Sequence, residues 1–174
     1  DKTTKKDLVV YEMSSFQCWD LQKSPHVAVV LRIEPDHLDR HRSFEDYVAA
    51  KSNIVNFQVS SDFCIYYANN AESTKISQKS AGHKKSYPIT THQIELKRLL
   101  DQLKIPGEHN RENAEAAILA VLSILDLSLE ELFSNGQKET YQKISHGLTT
   151  FVSVNLITFA IMMIIIHLLF QLPM

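Results

Sequence analysis

The run VAVVLRI, Val27–Ile33, constrains the fold more than any other stretch. It is short, nearly continuous in apolar residues and rich in β-branched valine. Such a strand leaves no side for water, so both of its faces must be covered. FCIYYAN, Phe63–Asn69, repeats the pattern. Between the two, SFEDYVAAKSNIVNF places Phe44, Tyr47, Val48, Ile54 and Val55 at helical spacing. Ser43, with Asp46 three residues on, has the form of a helix N-cap. Strand, helix, strand with both strands buried is the unit of a parallel sheet.

Two further strands are predicted. LVVYEMSSF (Leu8–Phe16) reads as one ahead of this unit, and SYPI (Ser86–Ile89) as one after it, with Pro88 placing it at an edge. Helices are predicted around Ile94–Leu103, over Asn110–Leu125, and in SLEELF, where Ser128 and Glu131 form a capping box. The fold class is therefore α/β, part of a mostly parallel sheet with flanking helices.

The last stretch differs in kind. After Lys143 there is no Asp, Glu, Lys or Arg, and LTTFVSVNLITFAIMMIIIHLLFQL is an apolar helix candidate. About 20 such residues suffice to cross a bilayer. The composition changes near Gly136, which divides the chain into 1–135 and an apolar tail, 136–174. Two origins for the tail stay open. It is a membrane-spanning helix through residues 148–172, with Lys138 and Lys143 keeping the domain on the cytoplasmic side. Or it is the frameshifted translation of a further domain. Met162-Met163-Ile164 must be encoded ATG ATG ATH, so a neighbouring frame reads Asp-Asp.

A net charge of -2 without a basic stripe argues against a nucleic-acid partner. Cys18 and Cys64 lie in or beside apolar runs with no metal-type spacing, and read as reduced core residues of an intracellular protein. The opening DKTTKKD is polar and charged, unlike a secretory leader, and a chain that starts at Asp1 reads as a fragment or a processed product.

Chemistry-bearing residues gather where the strands end, the usual place for sites on open parallel sheets. Glu12, Ser14 and Ser15 follow the first run. PDHLDRH, Pro35–His41, follows the second, and Asn69, Asn70 and Glu72 follow the third. Glu12 and His37 together suit a divalent cation bound with waters and phosphate oxygens; alternatively Glu12 is a solvated strand end and His37 a turn residue. A zinc site on His37 and His41 would lack both thiolate and the glutamate of H-E-x-x-H. Lys51 shares the apolar stripe of its helix, so its stem is buried while its amine either reaches water or faces a site with a depressed pKa. His109, Asn110 and Asn113 open a later helix. Asn110 is either its N-cap or, with Asn113, a hydrogen-bonding partner for a purine edge.

Four motifs in order carry a family resemblance: E-x-S-S-F-Q (Glu12–Gln17), P-D-H-L-D-R-H with S-F-E-x-Y-x-x-A-K (Pro35–Lys51), N-A-E (Asn70–Glu72), and G-x-H-N-x-x-N-A-x-A-A (Gly107–Ala117). Over about residues 8–135 the chain resembles the Mur ligases, most nearly their D-glutamate-adding members. The resemblance implies a P-loop-type central ATPase domain. It implies an ATP- and magnesium-dependent ligase of peptidoglycan synthesis that joins D-glutamate to UDP-N-acetylmuramoyl-L-alanine through an acyl phosphate. By matching motifs, Glu12 would bind one magnesium, and His37 and a carbamylated Lys51 the second. His109, Asn110 and Asn113 would lie on the adenine side, and Ser14, Ser15 and Gln17 on the nucleotide-sugar side. The family's G-x-x-G-K-[ST] loop, which precedes the E-x-S-S-F motif, does not occur in this sequence. The chain is accordingly expected to be inactive alone and, with the rest of the enzyme, cytoplasmic. Two alternatives remain: a membrane-tethered nucleotide-binding module without catalysis, and a Mur ligase for a different amino acid.

Overall fold

A computed structural model of the chain describes residues 8–35 and 41–150. His37 with the rest of 36–40, and the apolar stretch from residue 151 on, lie outside the described residues, as do the metal reading of His37 and both readings of the tail.

Three strands form the sheet: β1 (Val27–Val30), β2 (Phe63–Tyr67) and β3 (His83–Tyr87). They lie side by side in the order β1-β2-β3, and both pairs are parallel. Val27 pairs with Phe63, and Phe63 with His83. The helices are α1 (Ser15–Trp19), α2 (Phe44–Asn56), α3 (Ala71–Gln78), α4 (Gln93–Leu100), α5 (Glu108–Ile124), α6 (Leu129–Phe133) and α7 (Lys138–Thr150).

β1 and β2 do what their apolar pattern requires. Successive side chains point to opposite faces, so each strand feeds two apolar clusters. Val27, Val29, Ile65 and Tyr67 enter a larger cluster with Tyr87, α4, α5, α6 and α7, whereas Ala28, Val30 and Cys64 enter a smaller one with Tyr47 and Val55 of α2 and Ile76 of α3. α5 carries most of the first layer: Ala114, Ala116, Ala117, Ile118 and Leu122 are essentially sealed from water. The alanines let the helix backbone approach the sheet, and each fully buried leucine or isoleucine contributes about 1.5–3 kcal/mol. At the sheet edge β3 exposes His83 and Lys84, which discourages a further strand from pairing there.

The structure moves several predicted boundaries. Leu8–Met13 is not a strand; the run is irregular and passes into α1, whose N-cap is Ser14. Ser14 and Gln17 form a capping box, a local signal that outweighs the apolar run before it. SYPI is only the end of β3, which starts at His83, and Pro88 follows the strand rather than lying in it. α3 was not predicted. Its polar sequence AESTKISQ hides a start signal, the Asn70 side chain accepting from the Ser73 N–H. α5 starts at Glu108 with Gly107 as N-cap, so Asn110 lies one turn inside the helix and does not cap it. The Ser43 cap and the Ser128–Glu131 capping box are present as predicted.

The core also continues past Gly136. Ile144 and Leu148 of α7 are fully buried in the larger cluster, and Lys143 of the same helix pairs with Glu139 at 2.7 Å. Among the described residues no helix is long and apolar enough to cross a membrane.

Candidate functional site

Three segments that carry motif residues converge on the α2 side of the sheet. The first is α1, which begins three residues after Glu12. It is fastened to α2 by Asn53, whose Nδ2 donates to the carbonyls of Cys18 at 3.1 Å and Trp19 at 2.9 Å. The second is His41, the last residue of PDHLDRH. Its ring stacks on Phe16, with centroids 4.9 Å apart, and on Trp19, at 5.4 Å. Its Nε2 lies 2.9 Å from Ser15 Oγ. The third is the middle of α2. Tyr47 meets the His41 ring edge-on at 5.2 Å, and Lys51, one turn along, holds its Nζ 5.2 Å from the centre of the Tyr47 ring.

Lys51 is half-buried, in keeping with its place on the apolar stripe. Burial pushes the Cys18 thiol of α1 up from its ordinary pKa, and the Lys51 ammonium opposes that push. The amine of Lys51 therefore lies within electrostatic reach of α1 as well as on the face of Tyr47.

The residues assigned to the nucleotide-sugar side are each engaged in local structure. The Ser14 N–H donates to Gln17 Oε1 at 2.8 Å, Gln17 Nε2 donates to the Tyr11 hydroxyl at 2.8 Å, and Ser15 is buried against His41. Glu12 is exposed just ahead of this capping box.

Asn70 connects two strand ends. Its Nδ2 donates to Ile33 O at 3.0 Å and its Oδ1 accepts from Ile33 N at 3.3 Å, which ties the segment leaving β1 to the start of α3. Neighbouring Glu72 pairs with Lys75 at 2.6 Å.

The G-x-H-N motif lies at the start of α5. Gly107 has φ +110°, and a Cβ there would come within 2.8 Å of His109 Cε1, so the His109 ring is folded against the glycine. Asn110 Nδ2 donates to Pro106 O at 2.7 Å. Asn113, three residues on, is half-buried. Behind this turn Tyr67 donates to Glu112 at 2.6 Å, and Glu115 accepts from the Ile89 N–H. The Glu112 hydrogen bond raises the pKa of Tyr67, and burial raises that of Glu115. Sequence reasoning missed Glu112 and Glu115; their i, i+3 spacing on the face of α5 that turns toward the strand ends was the available signal.

Among the described residues no group of three or more His, Cys, Asp and Glu is arranged to hold a metal ion. The donor chemistry that remains fits magnesium better than zinc. Glu12 offers hard oxygens, while both thiols are buried and pushed upward, Cys64 to about 11.

Comparison with known proteins agrees with this architecture. Residues 1–121 match the Mur ligase middle domain. UDP-N-acetylmuramoylalanine--D-glutamate ligase of Streptococcus agalactiae (serotype III, strain NEM316) is 36% identical, over 83% of this chain and 36% of its own length. The protein of the same name from Streptococcus thermophilus (strain LMD-9) is 36% identical over 66% of this chain and 29% of its own length. That from Clostridium kluyveri (strain DSM 555) is 30% identical over 76% and 31%. The chain thus spans about a third of the length of the curated relatives it matches. On the match over residues 1–121, this chain belongs to the Mur ligase family, and the matched part is the family's middle domain.

Proposed function

We propose that the chain is the central part of an ATP-dependent ligase that adds D-glutamate to UDP-N-acetylmuramoyl-L-alanine in peptidoglycan synthesis, in the cytoplasm. The observation that carries this reading is the convergence of α1, His41 and Lys51 on one side of the sheet, in a chain whose relatives bear that activity in their names. In the reaction, the terminal carboxylate of the alanyl substrate takes the γ-phosphoryl group of ATP, giving an acyl phosphate and ADP. The amine of D-glutamate then attacks the acyl carbon. The C–N bond forms, the amine loses a proton, and phosphate leaves with the electron pair of the broken C–O bond. Magnesium, when bound, supplies positive charge that offsets the phosphate oxygens.

Glu12, His37 and Lys51 are the residues proposed to hold the metal. Lysine becomes an oxygen donor only as a carbamate, which forms from the neutral amine. His109, Asn110 and Asn113 are proposed on the adenine side, where amides offer both a donor and an acceptor. Ser14, Ser15 and Gln17 act toward the nucleotide sugar by shaping α1, since their polar groups are already paired within and around it. The partial length favours a chain that needs the remainder of the enzyme for turnover.

The test is to assay the full-length gene product with ATP, magnesium, UDP-N-acetylmuramoyl-L-alanine and radiolabelled D-glutamate. Incorporation of label is expected. Acceptance of another amino acid in place of D-glutamate would overturn the substrate assignment. For this chain alone, calorimetric titration with ATP and magnesium is expected to show at most weak binding.

A further inference from the structure

We propose that Ser15 and His41 are positioning residues for Lys51, acting through the ring of Tyr47. The inference builds on the reading of Lys51 as the reactive lysine, but it rests on geometry that is independent of the carbamate.

Ser15, His41 and Tyr47 are 4%, 5% and 6% exposed, so the three side chains form a closed relay between α1 and α2. The relay begins with one hydrogen bond, Ser15 Oγ to His41 Nε2. The other ring nitrogen, Nδ1, is buried without a hydrogen-bond partner. The Ser15 hydroxyl is thus what satisfies the imidazole, and a buried polar ring that loses its last partner moves toward water. While the bond holds, His41 stays stacked on Phe16 and on Trp19 and keeps its near-perpendicular contact with the Tyr47 ring. The Tyr47 ring is then fixed as the surface over which the Lys51 amine sits. Asn53 fastens α1 to α2 separately, so removing the Ser15 hydroxyl breaks the relay without undocking the helix.

The experiment is competitive acetylation of the 174-residue chain, with the rate at Lys51 measured by mass spectrometry relative to Lys97, which lies on the distant helix α4. Wild type is compared with Ser15→Ala, Ser15→Thr and Tyr47→Leu at a temperature where circular dichroism shows all four folded. Ser15→Ala and Tyr47→Leu are expected to change the relative rate at Lys51 by about threefold, the scale of a partly exposed cation–π contact. Ser15→Thr, which keeps the hydroxyl, is expected to restore it. A role confined to stability would lower the melting temperature of Ser15→Ala and leave the relative rate at Lys51 unchanged, and that result overturns the proposal. So does failure of Ser15→Thr to restore the rate. A parallel sample in 13C-bicarbonate separates the two readings. A carbamate resonance that disappears in Lys51→Arg upholds the carbamate. Its absence from wild type, with the acetylation shift intact, removes the carbamate and leaves the positioning role standing.

Discussion

Asn70 grips the backbone of Ile33 at two points, donating to its carbonyl at 3.0 Å and accepting from its N–H at 3.3 Å. The same Oδ1 caps α3 by accepting from Ser73 N at 2.9 Å. One amide therefore fixes the exit of β1, the exit of β2 and the entry to the next helix. Asn70→Ala is expected to lower the unfolding free energy by about 2–3 kcal/mol, the sum of a lost cap and a buried peptide left without its partners. Asn70→Asp keeps the cap but turns the donor facing Ile33 O into an acceptor, and is expected to fall between Asn70→Ala and wild type. Urea denaturation of the three proteins checks the order.

Gly107 is the position where the G-x-H-N motif depends on backbone rather than side chain. Its φ of +110° lies where L side chains rarely go, and an added Cβ would also strike His109. Gly107→Ala is expected to cost about 1–3 kcal/mol. Adding His109→Ala relieves the collision but not the backbone strain, so the double variant is expected to recover only part of the loss. Thermal melts of the single and double variants decide this. Full recovery would place the whole cost in the ring contact.

Glu115 sets a pH dependence whose sign is fixed by its surroundings. Burial raises its pKa, the hydrogen bond from Ile89 opposes that, and the nearby Glu112 and Glu108 carboxylates add to the rise. The folded chain therefore holds the Glu115 proton to higher pH than the unfolded chain does. Stability from this group is fully present below the unfolded pKa, and it is lost as pH rises through the folded one. Glu115→Gln keeps an oxygen for the Ile89 N–H and never ionises. The stability of this variant is expected to decline less than that of wild type as pH rises from the ordinary glutamate range. Denaturation midpoints across the acid-to-neutral range measure the difference.

Both thiols report on the packing. Cys18 and Cys64 are buried and free, and burial pushes Cys64 to about 11. Neither is expected to react appreciably with an aromatic disulfide reagent in the native chain at neutral pH, because the thiolate is the attacking form. Both are expected to titrate in denaturant. Rapid reaction of one thiol under native conditions would show that its side of the sheet opens readily.

The parallel α/β framework was legible because its signals are local and periodic. VAVVLRI and FCIYYAN became β1 and β2, the helical spacing of Phe44, Tyr47, Val48 and Ile54 became α2, and the two Ser caps formed where their side-chain spacing allowed. The first apolar run misled for a physical reason. Leu8–Met13 has strand composition, but a strand exists only through a ladder with a neighbour, and β-propensity cannot say whether one is present. α3 escaped notice for the opposite reason. Its side chains are polar, and it is held by the Asn70 cap and by Ser73, which bonds both to Tyr67 N and to Val30 O across the sheet.

The sequence by itself determined the order of the motifs, the strand–helix–strand unit, the placing of Lys51 on an apolar helical stripe, and the family those motifs resemble. All of these are readable from neighbours along the chain. Only the tertiary structure decided that His41 is buried against Ser15, that Tyr47 links it to Lys51, and that α7 continues the core. Ser15 and His41 are separated by 26 positions. Their meeting depends on how α1 docks on α2, a contact set by packing over both elements that leaves no spacing in the sequence to announce it.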